Sequence, residues 1–228
     1  MTALRIAVVD SGCAAAHAPR VRAAAAFVIG DGGLDEVPAI EDVLGHGSRV
    51  ADILLRGAPQ AELLIAQVFR ERLTTTAAQV AAAIDWAVAN GAQLVNLSLG
   101  LREPRPALAE ACARAVAAGV VLCAAAPARG QVVYPAGFAG VLRASGDARC
   151  APGELAAIGT AEVDFGAHVR PLDGSLAGAG ASMACAWLSA HAARHLADGG
   201  GADTLRTWLT EQASHHGVDN PRRRHHGG

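Results

Sequence analysis

Ile6-Ala7-Val8-Val9-Asp10-Ser11-Gly12 is an apolar run that ends on a carboxylate and a turn. Four apolar residues without polar alternation predict a strand buried on both faces, and Asp-Ser-Gly behind them predicts a turn at its carboxyl end. Strands of that kind belong to parallel sheets, whose neighbours must be joined by helical crossovers. The rest of the chain alternates accordingly. Helices are expected over 47–55, 76–90, 106–118, 182–196 and 204–212, and further strands over 62–69, 94–97, 120–126 and 141–144. Thr76 caps the second helix and Asn90-Gly91 stops it; Pro106 opens the third and Gly119 follows it. The stretch 30–44, with Asp31, Asp35, Glu36, Glu41 and Asp42 among Gly and Pro, is expected to be a surface loop. The implied architecture is α/β: three layers, a mostly parallel central sheet with helices on both faces.

Composition narrows the function. The chain has 228 residues, enough for one α/β domain with a sizeable core. We read residues 1–213 as that domain and 214–228, with His215-His216 and Arg222-Arg223-Arg224-His225-His226, as a disordered basic and His-rich tail. A net charge of −2 argues against a general polyanion binder, so no nucleic-acid partner is expected. No segment reaches the roughly 18 unbroken apolar residues of a membrane span, so no membrane insertion is expected. Met1-Thr2-Ala3-Leu4-Arg5 leads straight into the first strand, and neither a secretory signal nor a prodomain is expected. Five cysteines without CxxC spacing fit reduced thiols, hence a cytoplasmic protein. Neither cysteine nor histidine spacing implies a metal, and no cofactor is expected.

Three separated segments carry acid, base and hydroxyl in the order Asp, His, Ser: Asp10-Ser11-Gly12, His46-Gly47-Ser48 and Gly180-Ala181-Ser182-Met183-Ala184. In a parallel sheet reactive groups gather beyond the carboxyl ends of the strands, where Asp10 already sits. Serine hydrolysis needs a hydroxyl to attack a carbonyl, an imidazole to take its proton, and a carboxylate to orient the imidazole. Asp10, His46 and Ser182 supply those three roles. The bland alternatives are a turn aspartate, a loop histidine and a helix-capping serine.

With these segments, Asn96-Leu97-Ser98-Leu99-Gly100 and Tyr134-Pro135-Ala136 complete a resemblance to the subtilisin-like serine proteases, the subtilase family, running from about residue 6 to 196. The resemblance implies Ser182 as nucleophile, His46 as general base and acid, and Asp10 as its orienter. It implies Ser98, Leu99 and Gly100 as an edge that hydrogen-bonds an extended peptide, with Tyr134 and Pro135 walling the pocket for the residue before the cut. The family places an oxyanion-hole Asn on the loop after the strand that here is 120–126. This chain reads Ala126-Pro127-Ala128-Arg129-Gly130 there. Losing that donor costs a subtilisin about 2.7–4 kcal/mol, or 10²–10³ in turnover. The backbone N–H of Ser182 and the Ala128-Arg129 segment are the remaining oxyanion candidates, and a slow or highly selective enzyme is expected.

Other departures point the same way. Only residues 56–61 separate the His46 helix from the next strand, where secreted relatives carry a calcium loop, so no calcium site is expected. Ala186-Trp187 stand where the family usually shows Pro and His. Small subtilases of this sort are similar to maturation proteases that remove a leader from one partner polypeptide, as in quinohemoprotein amine dehydrogenase biogenesis. The implied partner is a polypeptide substrate, one precursor protein with or without its modifying enzyme. The rival reading is a non-catalytic subtilisin-like module that holds a peptide in a maturation complex. A dinucleotide enzyme would need GxGxxG where Asp10-Ser11-Gly12-Cys13-Ala14-Ala15 stands. An α/β-hydrolase would place its serine before Asp and His. Cys185, one turn past Ser182, is read as inert packing, Arg70-Glu71-Arg72 as a solvated loop, and His17, His168, His191 and His195 as non-ligands.

Overall fold

A computed structural model describes residues 3–176 and 178–219. Its elements in chain order are β1 (Arg5–Asp10), β2 (Val21–Gly30), β3 (Gly33–Val37), α1 (His46–Gly57), β4 (Glu62–Gln67), α2 (Ala77–Ala89) and β5 (Leu94–Leu97). Then follow α3 (Pro106–Ala117), β6 (Val121–Ala125), β7 (Val141–Gly146), β8 (Leu155–Ala157), β9 (Phe165–Ala167), α4 (Ala181–Ala197), α5 (Ala202–Glu211) and β10 (His215–His216). All ten strands form one sheet in the order β10-β8-β9-β7-β6-β5-β1-β4-β2-β3. Pairing is parallel through its centre and antiparallel at β2–β3 and β8–β9.

Side chains that alternate along β1 divide the core between the two sheet faces. Ile6 and Val8 pack with Val50, Ile53 and Leu54 of α1 and with α4. Ala7 and Val9 pack with Val80 and Ile84 of α2 and Leu108 and Ala111 of α3. This is the expected three-layer α/β fold. The strand order turns over at β1, which lies between β4 and β5. Its carboxyl end therefore opens into the crevice that such a switch creates, and Asp10 is the last residue of β1.

Two expectations need correction. The stretch 30–44 is not all loop, because it contains β3, which pairs antiparallel with β2. β3 is an exposed sheet edge, and Asp35 and Glu36 stay solvated there, so its acidic composition reads as a loop. The segment from residue 214, expected to be disordered, is paired to the sheet where it is described. The Ser214 N–H donates to the Leu155 carbonyl at 2.8 Å, the Gly217 N–H to the Ala157 carbonyl at 2.8 Å, and His215 and His216 pair with Ala156 and Ala157. Backbone pairing along the open side of β8 outweighs the polar composition of that segment. The remainder of the expected tail, 220–228, lies outside the described residues. Among the described residues no helix is long and apolar enough to cross a membrane.

Candidate active site

Asp10 is fully buried, and its carboxylate faces the imidazole of His46 across the gap between β1 and the first residue of α1. His46 Nδ1 lies 2.7 Å from Asp10 Oδ1 and 2.9 Å from Oδ2. An ionised carboxylate can only accept, so this contact places the proton on Nδ1 and leaves the Nε2 lone pair free. The chain reaches this geometry through glycines. Gly45 caps α1 with φ of 69°, a left-handed conformation that a side chain would strain. Gly47 sits so close to the turn after β1 that a Cβ there would collide with the Gly12 carbonyl oxygen. The Gly47 N–H donates to Ser11 Oγ at 2.9 Å, a further tie between strand end and helix start. Burial pulls the His46 pKa down, but the hydrogen bond and charge of Asp10, aided by the charge of Asp42, raise it above its ordinary value.

Ser182 is the second residue of α4. Its hydroxyl donates to the Ser98 carbonyl at 3.0 Å, and the Ser98 hydroxyl donates back to the Ser182 carbonyl at 2.9 Å. Behind this clasp, Asn96 Nδ2 donates to Ser98 Oγ at 2.9 Å and Ser189 Oγ donates to Asn96 Oδ1 at 2.9 Å. Asn96 and Ser189 are fully buried, so each satisfies the other's polar group where water cannot. Sequence reasoning gives neither of them a part in the site. The available signal was Asn96 itself, an amide amid the apolar residues of a buried strand, which demands a partner.

His46 and Ser182 line one cleft of about 320 Å³ together with Ser98, Leu99, Gly100 and residues 73–75. Among the described residues no hydrogen bond joins His46 to Ser182. The Ser182 N–H lies in the first turn of α4, where helix N–H groups have no intrahelical acceptor and the dipole is positive. Of the residues expected to bind the peptide, Ser98 and Leu99 are buried and Gly100 is exposed. Leu101 and Tyr134 exchange two backbone hydrogen bonds, 2.7 and 2.8 Å, which fasten the segment after Gly100 to the one bearing Tyr134 and Pro135. Ala136, next to Pro135, lines a separate pocket of about 100 Å³ with Ala126, Pro127 and Val133, and Arg143 lies at its edge held by Asp164. Ala128 and Arg129 are exposed on their loop, and neither is among the residues lining the Ser182 cleft.

Burial raises the Cys185 thiol well above its ordinary pKa, which keeps it a poor nucleophile. Arg70, Glu71 and Arg72 are exposed. His17 pairs with Asp52, His168 with the Cys150 carbonyl, His191 with the Gly153 carbonyl and His195 with Thr204. Among the described residues no group of three His, Cys, Asp or Glu side chains is placed to hold a metal ion.

Residues 2–226 match the subtilase family, and the chain belongs to that family. It is 33% identical over 149 residues to a thermostable alkaline protease of Halalkalibacterium halodurans, covering 60% of this chain and 40% of that protein. It is 31% identical over 150 residues to Subtilisin Savinase of Lederbergia lenta, covering 61% of this chain and 54% of that one. The chain thus spans about half the length of the curated relatives it matches. Among solved structures, a cold-adapted subtilisin-like serine proteinase superposes with a TM-score of 0.72 at 21% identity, over 92% of this chain and 84% of that one. The prenylagaramide maturation protease PagA does so with a TM-score of 0.68 at 21% identity, over 96% and 86%. A lanthipeptide protease gives 0.69 at 17%, over 96% and 81%. These likenesses establish the subtilisin-like fold.

Proposed function

We propose that this protein is a serine endopeptidase that cleaves a specific peptide bond in a partner polypeptide, with Ser182, His46 and Asp10 as its triad. The observation that carries the reading is His46 Nδ1 held on buried Asp10 in the cleft that also exposes Ser182. In the reaction Ser182 Oγ bonds to the carbonyl carbon while its proton passes to His46 Nε2. His46 then gives that proton to the leaving amine as the C–N bond breaks, and water, deprotonated by His46, hydrolyses the acyl-enzyme. The Ser182 N–H, at the positive end of α4, is the oxyanion donor this reading relies on. With Ala128 on the loop where the family carries an Asn, turnover is slow. We read the substrate as one precursor protein from which a leader is removed, in the cytoplasm, without nucleic acid, cofactor or membrane insertion, in the manner of quinohemoprotein amine dehydrogenase maturation. Support for the finer reading comes from two fold neighbours, one named a prenylagaramide maturation protease and the other a lanthipeptide protease.

One observation favours the rival. The Ser182 hydroxyl donates to the Ser98 carbonyl at 3.0 Å rather than to His46. A fluorophosphonate probe separates the readings. Covalent modification of Ser182, abolished in Ser182→Ala and His46→Ala, supports the hydrolase; an unmodified wild-type protein that still binds peptide supports the module. Intact-mass analysis of precursor proteins encoded beside this one, incubated with wild type or Ser182→Ala, tests leader removal.

A further inference from the structure

Composition alone puts Asp42 in a solvated acidic loop, yet its carboxylate is gripped from four directions. Oδ1 accepts the N–H groups of Leu44 at 3.1 Å and Gly45 at 2.8 Å, and Oδ2 accepts the N–H and hydroxyl of Ser48 at 2.8 and 2.6 Å. The donors bracket His46 on both sides. Ser48 is the third residue of α1, so its N–H is one of the helix-start donors that need an outside acceptor. α1 provides none of its own: its N-cap is Gly45, and its first turn carries no acid. A side chain four residues ahead of His46 therefore serves as both cap and dipole partner.

We propose that Asp42 is a positioning residue for His46, clamping the start of α1 so that the imidazole stays on Asp10. The clamp is anchored to the strands that frame the site. Ser11, adjacent to Asp10, accepts the Gly47 N–H at 2.9 Å with its hydroxyl. Gln67, last residue of β4, donates to the Ser11 carbonyl at 2.8 Å and accepts the Ile40 N–H at 3.0 Å, tying the segment that leads to Asp42 to the sheet. The charged groups acting on His46 are Asp10 from β1, Asp42 from this segment and Arg49 from α1 itself, the last opposed by Asp173 at 3.6 Å. Cys13 is the titratable neighbour of Asp42. Burial opposes ionisation of Asp42, but the hydrogen bonds from Ser48 and Gly45 outweigh it and hold its pKa below the ordinary value. Asp42 is thus an anion at neutral pH and favours the imidazolium that forms during proton transfer.

The inference rests on the triad reading, and its test needs no knowledge of the natural substrate. Fluorophosphonate labelling of Ser182 is followed by intact mass between pH 5 and 9 for wild type, Asp42→Asn and Ser48→Ala, with thermal unfolding alongside. Failure of wild type to label at Ser182 would sink the triad reading; the following outcomes concern Asp42 alone. Asp42→Asn is expected to slow labelling about ten-fold and to move its pH midpoint down by about half a unit, because removing an anion disfavours imidazolium. Ser48→Ala, which keeps the charge and loses one donor, is expected to slow labelling about three-fold with an unchanged midpoint. A merely structural role predicts lower thermal midpoints with wild-type labelling rate and pH midpoint. That result in Asp42→Asn, or wild-type rates in Ser48→Ala if Asp42→Asn does not fold, overturns the proposal.

Discussion

Replacing Gly47 by alanine sets two physical expectations against each other. Gly47 is the second residue of α1, and in a helix glycine is about 0.8–1 kcal/mol worse than alanine. Helix propensity alone therefore predicts a more stable protein. The geometry predicts the opposite, because a Cβ on Gly47 would collide with the carbonyl oxygen of Gly12 and also press on the Gly12 nitrogen at 3.1 Å. Those are backbone atoms of the turn after Asp10 and cannot swing aside, so the start of α1 must back away. A retreat on the order of 1 Å opens the Ser11–Gly47 hydrogen bond and lifts His46 from Asp10; misplacements of that size cost about a hundred-fold in rate. Gly47→Ala should thus lower the thermal midpoint and slow fluorophosphonate labelling of Ser182 about a hundred-fold. A variant that is more stable than wild type and labels within three-fold of it would falsify this account of the His46 position.

Ser98→Ala removes the hydroxyl between Asn96 and the Ser182 carbonyl and leaves a buried amide donor unpaired; a loss of about 1–3 kcal/mol is expected in urea unfolding. No loss would show that the clasp is incidental. His46 has a raised pKa, so labelling should fall as pH drops through a midpoint above 6.5, the ordinary value, and a midpoint at or below 6.5 contradicts the Asp10 and Asp42 contributions. The same shift has the reverse sign for stability: the extra stabilisation from His46 is full below about 6.5 and disappears as pH rises through its folded pKa. The stability gap between wild type and His46→Gln should accordingly narrow from pH 5.5 to 8.5, and a widening gap refutes the assignment. Burial raises the Asp164 pKa, yet hydrogen bonds from Arg143 and Arg206 carry it below the ordinary 3.8. Asp164→Asn should lose about 1–3 kcal/mol at neutral pH, a difference that fades in acid as wild-type Asp164 itself protonates; a constant difference would count against those hydrogen bonds.

What the sequence made legible was what is local or chemically costly. β1 and β6 carry unbroken apolar runs, and only a strand buried on both faces suits them. Thr76 and Gln79 form a reciprocal capping box, so the start of α2 was readable to the residue. Asp10, His46 and Ser182 stood out because each sits near glycine at an element boundary. β3 was illegible for a physical reason: it is an exposed edge strand with no burial pattern. β8, β9 and β10 have three, three and two residues and owe their form to neighbours across the sheet. Ser189 acts on Asn96, brought near only by folding, and nothing in its immediate surroundings marks it apart; Asp42 acts on Leu44, Gly45 and Ser48 close by in the chain, but its place among other acidic residues reads as a solvated loop.

The alanine-rich composition also bears on the site, beyond helix propensity. α1 delivers His46 and α4 delivers Ser182, each from its first turn, so the separation of the two side chains depends on how the helices pack. They pack very closely: a Cβ on Gly57, the last residue of α1, would lie 2.5 Å from the Cβ of Ala190. Small residues at such a crossing let two backbones approach where larger side chains would hold them apart. α4 contributes Ala184, Ala186, Ala190, Ala192 and Ala193 to its buried faces, and it runs unbroken through Ala186. Trp187, also on α4, is 4% exposed and lies beside Gly153. Between the termini that carry the chemistry and the point where the helices touch there is no soft joint. The packing of glycine on alanine at the far end of α1 and the clamp on its first turn therefore act on one rigid rod, and both bear on where His46 stands relative to Ser182.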